Sequence, residues 1–312
     1  MLFLPSGIDM CLFPRIIQNP RYKKNKKNGG NIPKAKDPRI KGVPIPCGVC
    51  IECRRAKARE WQARLTEEIR EEGKAQFVTL TFDEEHYTEE TDYKKMNEFA
   101  ANEIRLLIKR IVKKNRKSIR HWFITELGHE GTERLHIHGI TWTNWDQKSW
   151  EEIWGRGFVY IGEYCNEKTI NYITKYITKT DLMHKEFLGR IFCSKGIGRN
   201  WTQRFEAKTR KFIPGKTNTL YKTPSGAKIQ LPTYWRKKLF TEDECEKLWI
   251  EKIDKQKRYV MGNEISTRKG YKEYISALKL AQETNKKLGF PEPDFKWSEE
   301  QYMKKRAKMK LT

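Results

Sequence analysis

Two histidines stand one residue apart in "LHIHGI", residues 135–140, in a chain of 312 residues that holds six histidines. Side chains alternate faces along a β-strand, so on a strand His136 and His138 point one way and Leu135 and Ile137 the other. The apolar pair can then anchor the strand while both imidazoles converge on one point above the sheet. Imidazole suits Mn²⁺, Zn²⁺, Fe²⁺ or Ni²⁺, and an added carboxylate shifts the preference toward harder ions. Glu126 is the best-placed carboxylate, near the end of the strand expected to pair with this one. His129 and Glu133 are nearer in sequence but fall in the intervening turn. An isolated pair of this kind is also common on polar strand surfaces, so a second feature is needed.

That feature is "YITKYITK", residues 172–179. On a helix at about 100° per residue, Ile170, Ile173 and Ile177 share a buried stripe. Tyr172, Lys175, Tyr176 and Lys179 gather on nearly the opposite side, which is either a plain solvated face or a reactive one. A tyrosine hydroxyl is a weak nucleophile at its ordinary pKa of about 10. Nearby Lys⁺ favours the phenolate. A divalent ion held by His136, His138 and Glu126 polarises a phosphate oxygen and neutralises charge as a tyrosine attacks. The product is a covalent phosphotyrosine, and two tyrosines allow a second transfer before the first end is released.

The elements that must position these groups follow from periodicity. A helix is expected from Arg54 to about Glu71, with Ala58, Trp61, Leu65 and Ile69 on one stripe and Gly73 just past its end. "AQFVTLTF" (75–82) reads as a central strand. Residues 92–115 read as a long amphipathic helix burying Met96, Ala100, Ile104, Leu107 and Ile111, with Lys109, Arg110 and Lys113 on wet faces. Strands at 118–128 and 134–142, joined by a short Gly-containing turn, should pair antiparallel. A short helix near 147–153, a strand at 157–165 and a helix at 166–179 complete the series. The expected class is α+β, a central and mostly antiparallel sheet with helices covering one face. An N-terminal Cys-rich segment precedes it, and a basic, partly helical C-terminal region follows. There the sequence suggests a hairpin across "TPSGAK" and helices at 242–260 and 268–288.

The formal charge is +24, from 64 Lys+Arg against 40 Asp+Glu. Such a surplus attracts a polyanion and makes its binding salt-dependent. Residues 21–41 carry nine Lys or Arg against one Asp, and with Gly-Gly and two prolines they read as an extended basic loop. Candidate DNA contacts are Lys23, Lys24, Lys26, Lys27, Lys195, Arg199, Arg204, Arg236, Lys237 and Lys238, with Trp142, Trp145 and Trp201 as candidate stacking platforms. No run of about 18 apolar residues occurs, which argues against a membrane span. "MLFLPSGIDM" lacks the basic start and long apolar run of a signal peptide. Three of seven cysteines crowd into "PCGVCIEC". This pattern favours reduced thiols or metal over an extracellular disulfide framework, and hence the cytoplasm. Cys47, Cys50 and Cys53 need a fourth partner for tetrahedral zinc, and Cys11 is the best choice, since it would pin the basic loop at its base. Buried inert thiols and an iron–sulfur cluster are the alternatives. Cys165, Cys193 and Cys245 read as scattered core residues. "RKFIPGKT" (210–217) has Arg210 where a phosphate loop needs its first glycine, so no ATPase is expected.

Together the "TLTF" strand, the His136/His138 pair and the helix with Tyr172, Lys175, Tyr176 and Lys179 resemble the HUH endonucleases. The order and combination look most like the replication initiators of the microviruses, small single-stranded DNA phages, over roughly residues 45–240. The resemblance implies an HUH/Rep nuclease-like fold and a three-part chain. Residues 1–53 would form a basic arm with candidate zinc-binding cysteines, 54–195 the nuclease domain, and 196–312 a basic DNA-binding accessory region. It implies a metal-dependent, site-specific single-stranded DNA endonuclease and strand transferase using Mg²⁺ or Mn²⁺. The enzyme nicks an origin through phosphotyrosine, primes rolling-circle replication and later closes the displaced strand. Implied partners are single-stranded or supercoiled origin DNA and a host helicase and polymerase, in the host cytoplasm if the protein is phage-encoded. The same chemistry also serves HUH transposases and relaxases. A non-catalytic zinc-containing nucleic-acid-binding protein is the rival from another class.

Overall fold

Residues 10–87, 90–128, 134–180 and 184–310 are described in the computed structural model. The turn at 129–133, with His129 and Glu133, lies outside the described residues. Strand β1 (Arg15–Gln18) pairs antiparallel with β2 (Gly42–Ile45), Arg15 opposite Ile45 and Gln18 opposite Gly42. The basic segment between them is not simply extended. It holds short 3-10 turns, two of them capped by the Asn19 and Asp37 side chains, which accept from the amides of Arg21 and Arg39. Helix α1 (Ile51–Glu72) starts a turn earlier than periodicity suggests, so Cys53 sits in its first turn. Gly73, at φ +75°, closes it, donating its amide to the Ile69 carbonyl, as expected for a left-handed C-terminal residue.

Two compact units result, one of Met1–Glu60 with Thr202–Thr312 and the other of Trp61–Trp201. The second contains β3 (Gln76–Leu80), α2 (Tyr93–Asn115), β4 (His121–Leu127), β5 (Leu135–Thr141), α3 (Gln147–Trp154), β6 (Val159–Tyr164), α4 (Glu167–Thr178) and β7 (Ile191–Cys193). Five strands order as β6-β3-β5-β4-β7, and every neighbouring pair is antiparallel. On one face Val78, Leu80, Phe123, Leu127, Leu135 and Ile137 pack with Met96, Ala100, Ile104, Leu107 and Ile111 of α2 and with Trp150, Ile153 and Trp154 of α3. Each such side chain contributes about 1.5–3 kcal/mol by leaving water. Arg110, expected on a wet face, is half-buried and donates to the carbonyls of Ile153 and Trp154, satisfying the C-terminal end of α3.

The expectation of helices on one face only is corrected. Trp61 of α1 meets Trp122 edge-to-face at 5.7 Å, and Tyr176 of α4 stacks on His138. Both lie on the face opposite α2. A strand buried on both sides reads as an almost continuous apolar run, and "HWFIT" in β4 does so. The sequence also contains no signal for the edge strand β7, a three-residue stretch paired through Trp122↔Cys193 and Ile124↔Ile191.

The rest of the chain adds α5 (Phe205–Lys208), β8 (Leu220–Lys222), β9 (Lys228–Gln230), α6 (Thr233–Leu239), α7 (Glu242–Asp254), β10 (Lys257–Val260), β11 (Asn263–Ser266), α8 (Lys272–Lys287) and α9 (Glu299–Lys308). β8 and β9 form the hairpin expected across "TPSGAK". The helix expected over 242–260 is instead a helix followed by a strand. Met261 and Gly262, both at positive φ, make the two-residue turn that pairs β10 with β11. The core of this unit joins Cys11, Leu12, Phe13, Ile16, Cys50 and Cys53 to Trp249, Ile253, Tyr274, Ile275, Leu278 and Tyr302. Thus the Cys-rich N-terminal residues and the C-terminal helices share one interior. The three segments drawn from the sequence (1–53, 54–195, 196–312) divide the chain by role, and the two units divide it in space. None of the described helices is long and apolar enough to cross a membrane.

Candidate functional site

Antiparallel register sets the site. Glu126 is directly opposite His136, and Thr79 is directly opposite His138, so all four side chains leave the sheet on one face. One ligand atom each from Glu126, His136 and His138 lies within 4.8 Å of the others. The His138 Nε2 is 2.6 Å from Glu126 Oε2, and the two imidazoles stand 6.2 Å apart at 78°. Thr79 Oγ1 is 2.9 Å from His138 Nδ1 and so fixes the ring through its second nitrogen. The "TLTF" pattern by itself assigns Thr79 no task. Its neighbour across the sheet does.

Burial alone would raise the Glu126 carboxyl, but hydrogen bonds from His138 and Lys179 outweigh it and hold the group below its ordinary value. Lys179 Nζ is ion-paired with Glu126 Oε1. Burial, reinforced by the His138 charge, lowers His136. A charged carboxylate beside a neutral imidazole is the state that can ligate a cation. Two imidazole nitrogens and one carboxylate oxygen on rigid strands fit a divalent ion with coordination positions left for other oxygens.

Helix α4 carries the tyrosines. Asn166 opens it with a capping box, accepting from the amides of Lys168 and Thr169, a device that stabilises helix starts. The tyrosines are not equivalent. Tyr172 is 52% exposed and Tyr176 is 9% exposed. The Tyr176 ring lies parallel to His138 at 4.4 Å, while Tyr172 sets its edge against Phe77 at 6.1 Å. Tyr176 Oη donates to Tyr172 Oη at 2.6 Å. The expectation of a common wet face therefore holds for Tyr172, Lys175 and Lys179, which are at least partly exposed, and not for Tyr176. On the helical wheel Tyr176 is only about 60° from Ile173, so it enters the interface that Ile173 builds.

The expected activation by neighbouring lysine is likewise corrected for Tyr176. Burial pushes its phenol above the ordinary value, and donation to Tyr172 and the Glu126 charge add to this. Lys179 Nζ is 5.4 Å from the Tyr176 ring centre, with Glu126 as its ion-pair partner.

A second cluster gathers Cys11, Cys47, Cys50 and Cys53, whose sulfurs also lie within 4.8 Å of one another. Of the scattered cysteines, Cys165 is buried, Cys245 is half-buried, and Cys193 is exposed on the edge strand, contrary to its reading as a core residue. Lys23, Lys24, Lys26, Lys195, Arg199, Lys237 and Lys238 lie at the surface, and Arg204 is half-buried. The Lys27 side chain lies outside the described residues. Arg236 is half-buried with Nη2 shielded from solvent, which removes it from the surface cations. Trp201 is fully buried and presents no face for a base. Trp142 and Trp145 are half-buried, Trp145 against Trp150. Sequence reasoning missed Phe158 and Tyr160, both more than half exposed. Tyr160 pairs with Thr79 on the edge strand β6, two strands or about 10 Å from His138. Alternation along β6 was the available signal.

An antiparallel α+β sheet bearing a two-histidine, one-carboxylate cluster under a tyrosine helix has counterparts among replication-associated proteins. Residues 75–181 match the family model of the ORF2-type replication-associated proteins. The matched stretch includes β3, the histidine pair and the tyrosine helix. The Replication-associated protein ORF2 of Spiroplasma virus 4 is 26% identical over 264 residues, 74% of this chain and 80% of that protein. No solved structure matched significantly.

Proposed function

We propose that the chain is a replication-associated, metal-dependent endonuclease and strand transferase that nicks single-stranded origin DNA through phosphotyrosine. The observation that carries this reading is the parallel stack of Tyr176 on His138, with Tyr172 hydrogen-bonded to Tyr176. It brings the phenol pair to a cluster in the Trp61–Trp201 unit that suits a divalent cation. The similarity of residues 75–181 to replication-associated proteins supports the assignment to replication and the HUH-type nuclease fold.

In this reading His136, His138 and Glu126 hold Mg²⁺ or Mn²⁺, with Thr79 orienting His138. The bound ion supplies Lewis-acid polarisation of the scissile phosphate. Tyr172 Oη attacks phosphorus, the P–O3′ bond breaks, and the DNA leaves with a free 3′-hydroxyl while its 5′-phosphate stays on the enzyme. Tyr176 donates to the Tyr172 oxygen as charge develops there. Lys175 and Lys179 balance phosphate charge on the same helix. Tyr176 then serves the second transfer that closes the displaced strand. Phe158 and Tyr160 offer ring faces to the bases beside the cut, and the exposed lysines and arginines track the backbone. Host helicase and polymerase act on the nicked origin, which places the protein in the cytoplasm of the cell where replication occurs.

The test uses 3′-labelled single-stranded origin DNA and Mn²⁺ with wild-type, Tyr172→Phe, Tyr176→Phe and doubly substituted protein. Wild type should form a covalent protein–DNA adduct and the double variant none. An adduct formed equally well by the double variant, or none with wild type, refutes the proposal.

A further inference from the structure

The four clustered cysteines belong to a different part of the molecule and have no role in the chemistry above. Cys11 precedes β1, Cys47 follows β2, Cys50 ends the turn, and Cys53 lies in the first turn of α1. All four are free thiols, and Cys11, Cys50 and Cys53 are buried in the core they share with the C-terminal helices. From this arrangement we infer a tetrahedral, four-thiolate structural zinc site that staples the base of the basic β1–β2 segment to the start of α1.

Sulfur geometry is the principal support. The Cys47 and Cys53 sulfurs are 3.8 Å apart. A disulfide requires about 2.05 Å. A tetrahedron with Zn–S near 2.3 Å has S···S edges of about 3.8 Å. All the remaining sulfur pairs fall within 4.8 Å, so a small inward adjustment closes the shell. Backbone amides already point at the sulfurs: Cys47 N–H donates to Cys11 Sγ at 3.2 Å and Cys50 N–H to Cys47 Sγ at 3.4 Å. Such bonds favour the thiolate over the thiol. Asn285 Oδ1 accepts from the Ile51 amide at 2.9 Å, which holds the α1 start where Cys50 and Cys53 need it. The thiolate donor set selects a soft or borderline ion and disfavours Mg²⁺, so this site and the histidine cluster take different metals.

The mechanical consequence concerns the basic segment. Cys11 and Cys47 bracket Lys23, Lys24 and Lys26, whose side chains ride at the surface on and beside short 3-10 turns. One ion at the base ties both ends of that segment together, which cuts the number of open conformations available to it.

The test uses full-length protein purified without chelator and never measures nicking, so its failure is separable from that of the endonuclease reading. Elemental analysis should return about one zinc per chain. After exchange into Co²⁺, a thiolate-to-cobalt charge-transfer band and the intense visible bands of tetrahedral cobalt should appear. The double substitution His136→Ala with His138→Ala should keep both signals, as should Cys193→Ser, while Cys50→Ser should lose them. Zinc removal should raise trypsin cleavage within residues 21–41 severalfold. Should Cys50→Ser fail to fold, thiol counting on wild type decides: chelation should expose four additional reactive thiols. Wild-type protein that is folded yet holds neither zinc nor a cobalt–thiolate spectrum overturns the inference, as does iron with a visible iron–sulfur spectrum.

Discussion

Replacing Tyr176 by Phe keeps the ring stacked on His138 and removes a single hydroxyl, the donor to Tyr172 Oη at 2.6 Å. In the resting protein that bond joins two neutral phenols. During attack Tyr172 loses its proton, and the same bond then reaches a charged oxygen, where a hydrogen bond is worth about 1.5–3 kcal/mol. At about 1.4 kcal/mol per decade, first-strand cleavage by Tyr176→Phe should slow roughly 10- to 150-fold. Tyr172→Phe removes the exposed nucleophile, and adduct from a first cleavage should fall below detection. Single-turnover formation of the covalent adduct with Mn²⁺, resolved on denaturing gels, measures both. The buried phenol is held protonated by its surroundings, which is why it is assigned the second role. If Tyr172→Phe cleaves at the wild-type rate while Tyr176→Phe forms no adduct, the assignment of roles is wrong.

Three further outcomes follow from particular contacts. Gly139 lies beside His138 in β5, and a Cβ there would sit 2.2 Å from Phe123 Cδ1 in a fully buried environment. Gly139→Ala should therefore cost about 1–3 kcal/mol by overpacking, visible as a lower Tm, and an unchanged Tm would contradict the packing described. His121 in β4 is held below its ordinary value by burial, offset only in part by its hydrogen bond to the Ile119 carbonyl. The unfolded chain then binds the proton more readily, so stability should fall as pH drops below about 6.5 and should be insensitive to this group above it. Denaturant midpoints between about pH 7.5 and 5.5 should lose part of that slope in His121→Gln. Tyr160→Ala should leave folding intact and weaken single-stranded DNA binding by about 1–3 kcal/mol. Anisotropy titrations would measure this, and an unchanged Kd would remove Tyr160 from the DNA path.

Much of the site was readable from local pattern. The alternation in "LHIHGI" put both histidines on one face, and the short turn before it made β4 and β5 neighbours, which nominated Glu126. The isoleucine spacing in "NYITKYIT" made a helix of α4 despite its β-branched residues. The limits appear where a residue's fate depends on a partner remote in sequence. Tyr176 has the type and spacing of a solvated residue, yet it is buried because α4 docks over His138. Trp201 reads like any exposed aromatic among cations and is part of the interior. Short strands such as β7 and β10 carry too few residues to show a period, and their pairing comes from neighbours.

Composition and periodicity thus decided the residues that can do chemistry, the class of partner, and the elements that carry them, because charge and side-chain alternation are properties of adjacent residues. Folding decided which tyrosine is sheltered, that Lys179 pairs with Glu126, that Thr79 steadies His138, and that four cysteines separated by up to 42 positions meet. Each of these depends on strand register and helix docking, which bring together groups that no local window contains.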